Sequence, residues 1–161
     1  MGTKGREIIK VDIEKLVKML NKALSDEWLA TYQYWIGAKI AVGNERASIT
    51  SEFSLHAKEE QAHADLIVER IIQLGGTPIL SPHDWKTISP ITYRRPKFFN
   101  VKELLKQNIA GEQGAIEDYQ NILDYTAGKD HATYIMVGGI LQDEIHHEDE
   151  LEAMLEDVLA S

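Results

Sequence analysis

The spacing of apolar residues in this 161-residue chain predicts four long amphipathic helices, and no other feature limits the possible folds as strongly. The predicted helices cover about residues 12–41, 45–75, 100–127 and 131–159. Residues that favour helix ends separate them: Gly75 and Gly76 follow the second helix, and Asn100 and Asp130 can cap the third and fourth. Four helices of this length leave little room for strands, so we expect an all-α four-helix bundle.

The lengths of the connections predict the topology. Only a few residues join the first helix to the second and the third to the fourth, so each of these pairs is expected to be antiparallel. Residues 76–99 contain all four prolines, and we expect no helix there. This segment can run back along the bundle, which makes the third helix parallel to the second. We expect one domain over residues 1–161. The crossover has four aromatic residues that can anchor it: Trp85, Tyr93, Phe98 and Phe99.

Composition excludes several functional classes. The chain has no cysteine, so disulfides, iron–sulfur clusters and thiolate zinc sites are excluded. Its net charge of −9 argues against a surface that binds nucleic acid, and we expect no DNA binding. The sequence shows no apolar segment long enough for a membrane span and no signal-like N-terminus. We therefore expect a cytoplasmic protein without a membrane partner.

Polar residues interrupt the apolar face of every predicted helix. One glutamate lies near the middle of each face: Glu27, Glu60, Glu112 and Glu144. The second and fourth helices add a histidine three residues later, His63 and His147. Residues three positions apart share a helix face. Because the helix midpoints meet at one level in a bundle, these six side chains are expected to converge.

A buried layer with four carboxylates predicts a site for two divalent cations. An unpaired buried carboxylate is unfavourable by several kcal/mol, and four in one layer repel one another. Two cations supply four positive charges, which balance the four carboxylates. Oxygen ligands with one imidazole per metal favour iron or manganese over zinc or calcium. The competing interpretation is that all six residues are solvated charges on amphipathic helices.

This pattern resembles the ferritin-like superfamily, most closely the bacterioferritins and the Dps-like miniferritins, over nearly the whole chain. The resemblance implies that each of two irons has two terminal ligands and that two carboxylates bridge the irons. The terminal pairs are Glu27 with His63 and Glu112 with His147, and the bridges are Glu60 and Glu144. The same six residues would then carry the catalysis.

The resemblance also implies roles for four residues around the ligands. Glu59 and Asp143 correspond to carboxylates that orient the histidine of the opposite helix. Tyr34 and Tyr119 would be hydrogen-bonding or redox-active neighbours of the site, although amphipathic core tyrosines are an equally good interpretation for Tyr119.

The function that the resemblance implies is a ferroxidase that stores iron, with O₂ or H₂O₂ as the oxidant. Bacterioferritins ligate haem through a methionine at the position of Gln61, so we expect no haem. The fourth helix runs nearly to Ser161 and leaves no room for the short fifth helix of 24-subunit cages, so a 12-subunit shell is preferred. The alternatives are a di-iron or di-manganese enzyme, such as a rubrerythrin-like peroxidase or a manganese catalase, and a metal-free interaction module.

Four other features have a simple interpretation, and two of them also have a functional alternative. His56 is expected to be a partly exposed helix residue, and the alternative is that it lines an iron access path. His83 is expected in a loop, and His146 is expected to point away from the metal layer. The acidic run from Glu148 to Asp157 is expected to be solvated, and the alternative is that it nucleates mineral.

Overall fold

The computed structural model describes residues 2–89 and 95–160, and Tyr93 lies outside these ranges. The described residues form six helices. They are α1 (Thr3–Glu7), α2 (Ile13–Ile40), α3 (Arg46–Gln73), α4 (Pro82–Ile88), α5 (Val101–Thr126) and α6 (His131–Ala160). The four long helices match the predicted ones to within about two residues at each end. Within the described ranges there is no strand, only an isolated bridge between Val42 and Asn100.

Side-chain caps and a glycine turn fix the ends of the long helices. The Asn100 side chain accepts a hydrogen bond from the backbone N–H of Glu103 at 3.0 Å, and Asp130 accepts one from Thr133 at 3.2 Å. After α3, Gly75 adopts a φ of 79°, a left-handed conformation that glycine adopts without strain. The following backbone N–H then closes the helix end as a Schellman motif. The residues predicted to end these helices therefore end them.

The crossover between α3 and α5 follows α2 from its beginning towards its end. Near the start of α2, the Asn21 side chain bonds the backbone of Thr77 at 3.0 Å and that of Ile79 at 2.9 Å. Just after α2, Val42 pairs with the backbone of Phe99 and Val101. The crossover thus returns to the end of the bundle where α3 also begins, and α5 runs parallel to α3, as predicted.

The middle of the crossover packs on α2. Trp85 stacks on Trp28 with ring centroids 5.6 Å apart and ring planes 5° apart. The hydroxyl of Ser89 donates a hydrogen bond to Asp26, and both side chains are buried. Of the predicted anchors, Trp85 therefore packs on the bundle, whereas Phe98 and Phe99 are 62% and 50% exposed.

The prediction that residues 76–99 contain no helix is wrong for α4, and His83 lies in this helix rather than in a loop. Ser81 caps α4 by accepting a hydrogen bond from the backbone N–H of His83 at 3.2 Å. Pro82 occupies the first turn, where a helix does not need a backbone N–H and the fixed φ of proline fits. Proline therefore starts a helix here instead of preventing one.

The core consists of two apolar clusters, one towards each end of the bundle. The first includes Leu16, Leu20 and Leu24 of α2 with Ile67, Ile71, Tyr119, Ile122 and Ile140. The second includes Tyr34, Ile49, Phe53, Leu105, Ile109 and Leu151. On each long helix, the polar residues predicted to form the metal layer lie between the residues of these two clusters. Among the described residues, no helix is both long and apolar enough to span a bilayer.

Candidate metal centre

The structure brings all six predicted ligands into one layer, which we call the dinuclear layer. They are Glu27 of α2, Glu60 and His63 of α3, Glu112 of α5, and Glu144 and His147 of α6. None of the six is more than 4% exposed. Solvated charges on amphipathic helices would be exposed, so that interpretation does not describe these residues.

The ligand atoms of the dinuclear layer form two overlapping groups. One group contains Glu27, Glu60, His63 and Glu144, and the other contains Glu60, Glu112, Glu144 and His147. Within each group, the candidate ligand atoms all lie within 4.8 Å of one another. Both groups contain Glu60 and Glu144, so the arrangement can hold two neighbouring cations with two carboxylates between them.

Each histidine of the layer directs Nδ1 towards the carboxylates. Nδ1 of His63 lies 3.0 Å from Oε1 of Glu144 and 3.5 Å from Oε2 of Glu27. Nδ1 of His147 lies 3.4 Å from both Oε1 of Glu60 and Oε2 of Glu144. The imidazole lone pairs are therefore aimed at the positions where cations would lie.

Acidic residues on the opposite helix hold the other nitrogen of each ring. Nε2 of His63 lies 3.2 Å from Oδ2 of Asp143, and Nε2 of His147 lies 3.2 Å from Oε2 of Glu59. A hydrogen bond at Nε2 fixes the tautomer in which Nδ1 is free to bind a metal. These two contacts are the ones that the family resemblance implies.

Several buried atoms of the layer have no hydrogen-bond partner among residues 2–89 and 95–160. They are Oε2 of Glu27, Oε1 of Glu60, both carboxylate oxygens of Glu144, and Nδ1 of His63 and His147. Buried polar atoms without partners are rare because each one costs roughly 1–3 kcal/mol. Every one of these atoms is also a potential metal ligand, so a pair of cations would satisfy all of them together.

Two buried tyrosines bond the terminal glutamates. Tyr34 donates a hydrogen bond to Glu112, and Tyr119 donates one to Glu27. Burial, together with the charge of the neighbouring glutamate, raises the pKa of both tyrosines well above its usual value. Both phenols therefore remain protonated donors at neutral pH.

Without cations, the electrostatics of the layer favour bound protons. Burial, followed by the charges of Glu60 and Glu144, raises the pKa of Glu27 and Glu112 well above its usual value. Burial alone would lower the pKa of His147, but its contacts with Glu144 and Glu60 raise it to about 10. Burial alone would raise the pKa of Glu60, but the two histidines lower it below its usual value. Binding of metal would have to displace these protons.

His56 differs from its prediction as a partly exposed residue. Its side chain is fully buried, and its ring stacks on that of His147 with centroids 4.1 Å apart. Burial, together with the charge of His147, lowers the pKa of His56. The sequence does indicate that His56 is buried, because His56 precedes Glu60 by one helical turn and so shares its buried face. His146 does point away from the layer, and its side chain is 69% exposed.

A cleft between α2 and α5 leads to the dinuclear layer. Its lining includes Gln33 and Tyr34 of α2 with Asn108, Gly111 and Glu112 of α5. The side chains of Gln33 and Asn108 form a hydrogen bond of 2.7 Å beside it. Glu27, Glu60 and Glu144 also line the cleft, so it borders the buried carboxylates.

Comparison with known proteins finds a matching family model and relatives of similar sequence. A model of the ferritin-like domain matches residues 17–159. The DNA protection during starvation protein of Pyrococcus furiosus is 32% identical over 149 residues, which cover 90% of this chain and 79% of that protein. The bacterioferritin of Rhodobacter capsulatus is 30% identical over 142 residues, covering 88% of this chain and 83% of that protein.

One solved structure is similar to this chain over almost the whole length of both proteins. It is described as a dodecameric thioferritin, the bacterioferritin-related protein from Bacteroides fragilis. Its TM-score is 0.96 at 42% identity, with 99% of this chain and 96% of that chain covered. The all-helical bundle with one long crossover is therefore confirmed as the fold of this chain.

Proposed function

The chain belongs to the ferritin-like family, and we propose that it is a ferroxidase that binds and oxidises Fe²⁺ in the dinuclear layer and stores the product. One observation carries the proposal: two buried groups of ligand atoms share Glu60 and Glu144. A site for a single cation would not need two groups that overlap in this way. In this proposal Fe²⁺ is the substrate, and H₂O₂ or O₂ is the oxidant.

The redox balance of the proposed reaction requires a pair of irons. Each Fe²⁺ gives up one electron, and two electrons with two protons reduce H₂O₂ to two waters or O₂ to H₂O₂. A layer that holds two Fe²⁺ side by side supplies both electrons at one place. The four carboxylates balance the four positive charges of the bound substrate, so binding leaves little net charge in the apolar core.

Residues around the layer would position the ligands. Asp143 and Glu59 hold Nε2 of the two histidines, which keeps each Nδ1 directed inward. Tyr34 and Tyr119 each bond one oxygen of a terminal glutamate. We propose that these four residues set the orientation of the ligands before Fe²⁺ arrives, which lowers the entropic cost of binding.

We further propose that the chain forms a closed shell of twelve copies, in which the oxidised iron collects. Large apolar side chains on its surface support this, because they would be buried between subunits: Leu80 is 84% exposed, Ile135 73% and Phe98 62%. The similar Bacteroides fragilis protein is described as dodecameric. A shell of twelve subunits of 18.2 kDa would have a mass of about 218 kDa. The absence of haem, the absence of DNA binding and the cytoplasmic location stay predictions.

Anaerobic Fe²⁺ titration followed by stopped-flow oxidation tests the proposal. We expect the Glu60→Ala/Glu144→Ala variant to bind two fewer Fe²⁺ per subunit than the wild type and to oxidise Fe²⁺ no faster than buffer. Glu69→Ala/Glu156→Ala is the matched control, because it removes two exposed carboxylates from the same two helices. Equal oxidation by the wild type and buffer would overturn the proposal. A dimeric mass, together with turnover of peroxide without iron storage, would instead favour a di-iron or di-manganese enzyme.

A further inference from the structure

A second group of potential metal ligands lies beside the dinuclear layer and has no part in the proposed reaction. It consists of Glu52 and His56 of α3 with Glu150 of α6, and we call it the outer cluster. One candidate ligand atom from each residue lies within 4.8 Å of the other two. The cluster therefore joins two helices through a histidine and two carboxylates.

His56 cannot satisfy both carboxylates with hydrogen bonds from one nitrogen. Its Nε2 lies 3.4 Å from Oε1 of Glu52 and 3.3 Å from Oε2 of Glu150. A single N–H can form only one good bond, and both contacts are longer than the usual charge-assisted hydrogen bond. A cation between the three atoms would contact all of them and balance both negative charges.

The ring of His56 is held in place by packing. It is fully buried, it stacks on His147, and it meets the ring of Tyr34 edge-on with centroids 5.1 Å apart. This packing keeps Nε2 directed towards Glu52 and Glu150. Nδ1 lies on the other side of the ring and has no hydrogen-bond partner among the described residues, so it is not part of the outer cluster.

The two carboxylates give the outer cluster contact with solvent. The side chain of Glu52 is 21% exposed and that of Glu150 is 35% exposed. Oε1 of Glu150 lies 3.3 Å from Nε2 of His146, which helps to direct the other oxygen towards His56. Water can therefore complete the coordination of a cation here, and the cation can exchange with solvent.

We propose that Glu52, His56 and Glu150 bind a third divalent first-row metal ion of the Fe²⁺ class next to the dinuclear layer. One imidazole and two carboxylates are the same donor types that the dinuclear layer offers, so both sites select the same cation. Because the rings of His56 and His147 are in contact, the outer cluster lies one residue away from a ligand of the layer. The third site would hold Fe²⁺ on its way to the layer, and only this role rests on the proposed function.

Counting bound Fe²⁺ under anaerobic conditions tests the inference. We expect three Fe²⁺ per subunit for the wild type, two for Glu52→Gln/Glu150→Gln and one for Glu60→Ala/Glu144→Ala. Glu69→Gln/Glu156→Gln serves as the control, because it removes the same charge from exposed positions of the same helices and should keep three. Circular dichroism would verify that each variant keeps its helices.

The outcomes separate the inference from the proposed function. Two Fe²⁺ in both the wild type and Glu52→Gln/Glu150→Gln would overturn the third site and leave the ferroxidase proposal intact. One Fe²⁺ in the wild type that Glu52→Gln/Glu150→Gln removes would support the third site and overturn the dinuclear one. Anomalous diffraction from Fe²⁺-soaked wild-type crystals gives an independent answer, since it should show a peak bonded to Nε2 of His56. Clear peaks in the dinuclear layer with none at His56 would contradict the inference.

Discussion

Tyr119 donates a hydrogen bond to Oε1 of Glu27 across the bundle, from α5 to α2. Oε2 of Glu27 has no hydrogen-bond partner in the described part of the chain and lies 3.5 Å from Nδ1 of His63. Tyr34 and Glu112 repeat the relationship in the opposite direction, from α2 to α5. Each tyrosine belongs to a different apolar cluster, so the dinuclear layer is held from both ends of the core.

Tyr34→Phe is expected to weaken Fe²⁺ binding. The substitution keeps the ring in the core but removes the donor that orients Glu112. Loss of a partner that orients a metal ligand typically lowers metal affinity by about 10-fold or more. Anaerobic titration would measure the change, which we expect at one of the two irons of the layer.

Tyr125→Phe is the control for this experiment. The hydroxyl of Tyr125 donates a hydrogen bond to the backbone carbonyl of Asp12, at 3.4 Å, and it lies far along α5 from the layer. Its removal should leave Fe²⁺ affinity unchanged. Equal affinities for Tyr34→Phe and the wild type would show that Glu112 needs no orienting bond.

Glu112→Gln is expected to abolish one iron site with little effect on the metal-free protein. Burial and the charges of Glu60 and Glu144 raise the pKa of Glu112 and so favour its protonated form without metal, which glutamine imitates. We expect the free energy of unfolding of the metal-free variant to change by less than about 1 kcal/mol. Its Fe²⁺ stoichiometry should fall by one per subunit.

Urea denaturation of the metal-free proteins would measure the effect of Glu112→Gln, and Glu60→Gln should behave differently in it. The pKa of Glu60 is lowered by the two histidines despite its burial, so its charged form stabilises the metal-free layer. Removing that charge takes away one of the two carboxylates, Glu60 and Glu144, that contact both protonated histidines, and we expect a loss of about 3 kcal/mol. If both variants lost the same stability, the assignment of protons within the layer would be wrong.

The sequence predicted the dinuclear layer because the signal was local on each helix. A glutamate in the middle of an apolar stripe can be recognised without knowing its neighbours, and Glu144 is fully buried as that pattern indicates. The helix ends were predictable for the same reason, since caps such as Asn100 bond a residue only three positions away. Local periodicity and short-range hydrogen bonds therefore describe most of this fold.

Contacts between distant segments were not predictable in this way. Arg70 of α3 bonds Asp130 before α6, and nothing in their spacing indicates the pair. The burial of His56 depends on packing against Tyr34 and His147 from two other helices. The four prolines do not predict helix α4, because proline usually breaks a helix, although the order Ser81–Pro82 is typical of a helix start.

Fe²⁺ is expected to stabilise the wild-type protein against unfolding. Cations that satisfy the unpartnered atoms of the layer bind only the folded state, so stability rises with their concentration. At a free Fe²⁺ concentration of 100 times the dissociation constant, the free energy of unfolding rises by about 2.7 kcal/mol per site. Anaerobic thermal denaturation would show a higher Tm with Fe²⁺, and the increase should be far smaller in Glu60→Ala/Glu144→Ala. An equal increase with Mg²⁺, which prefers water and oxygen ligands, would show that the imidazoles do not contribute.

Asp130→Asn is expected to lower the free energy of unfolding at neutral pH, and this difference from the wild type should shrink in acid. Asp130 accepts two hydrogen bonds from Nη2 of Arg70, at 2.9 and 2.8 Å, and both residues are buried. Burial alone would raise the pKa of Asp130, but the bonds from Thr133 and Arg70 outweigh burial and lower it. A carboxylate with a lowered folded-state pKa stabilises the fold above its unfolded pKa of about 3.9, and this contribution disappears as the pH falls through the folded value.

Urea denaturation at several pH values would measure this effect. At pH 7, the Asp130→Asn substitution would leave the guanidinium of Arg70 buried without its charged partner, and we expect a loss of about 3 kcal/mol. Below about pH 4 the wild type begins to lose the same interaction, so the difference between the two proteins should shrink with decreasing pH. Asp124→Asn, at an exposed position of α5, is the control and should show no such pH dependence. A difference between Asp130→Asn and the wild type that stayed constant from pH 7 to pH 3 would contradict this prediction, because a loss caused by the missing carboxylate charge must shrink as the carboxylate of the wild type is protonated.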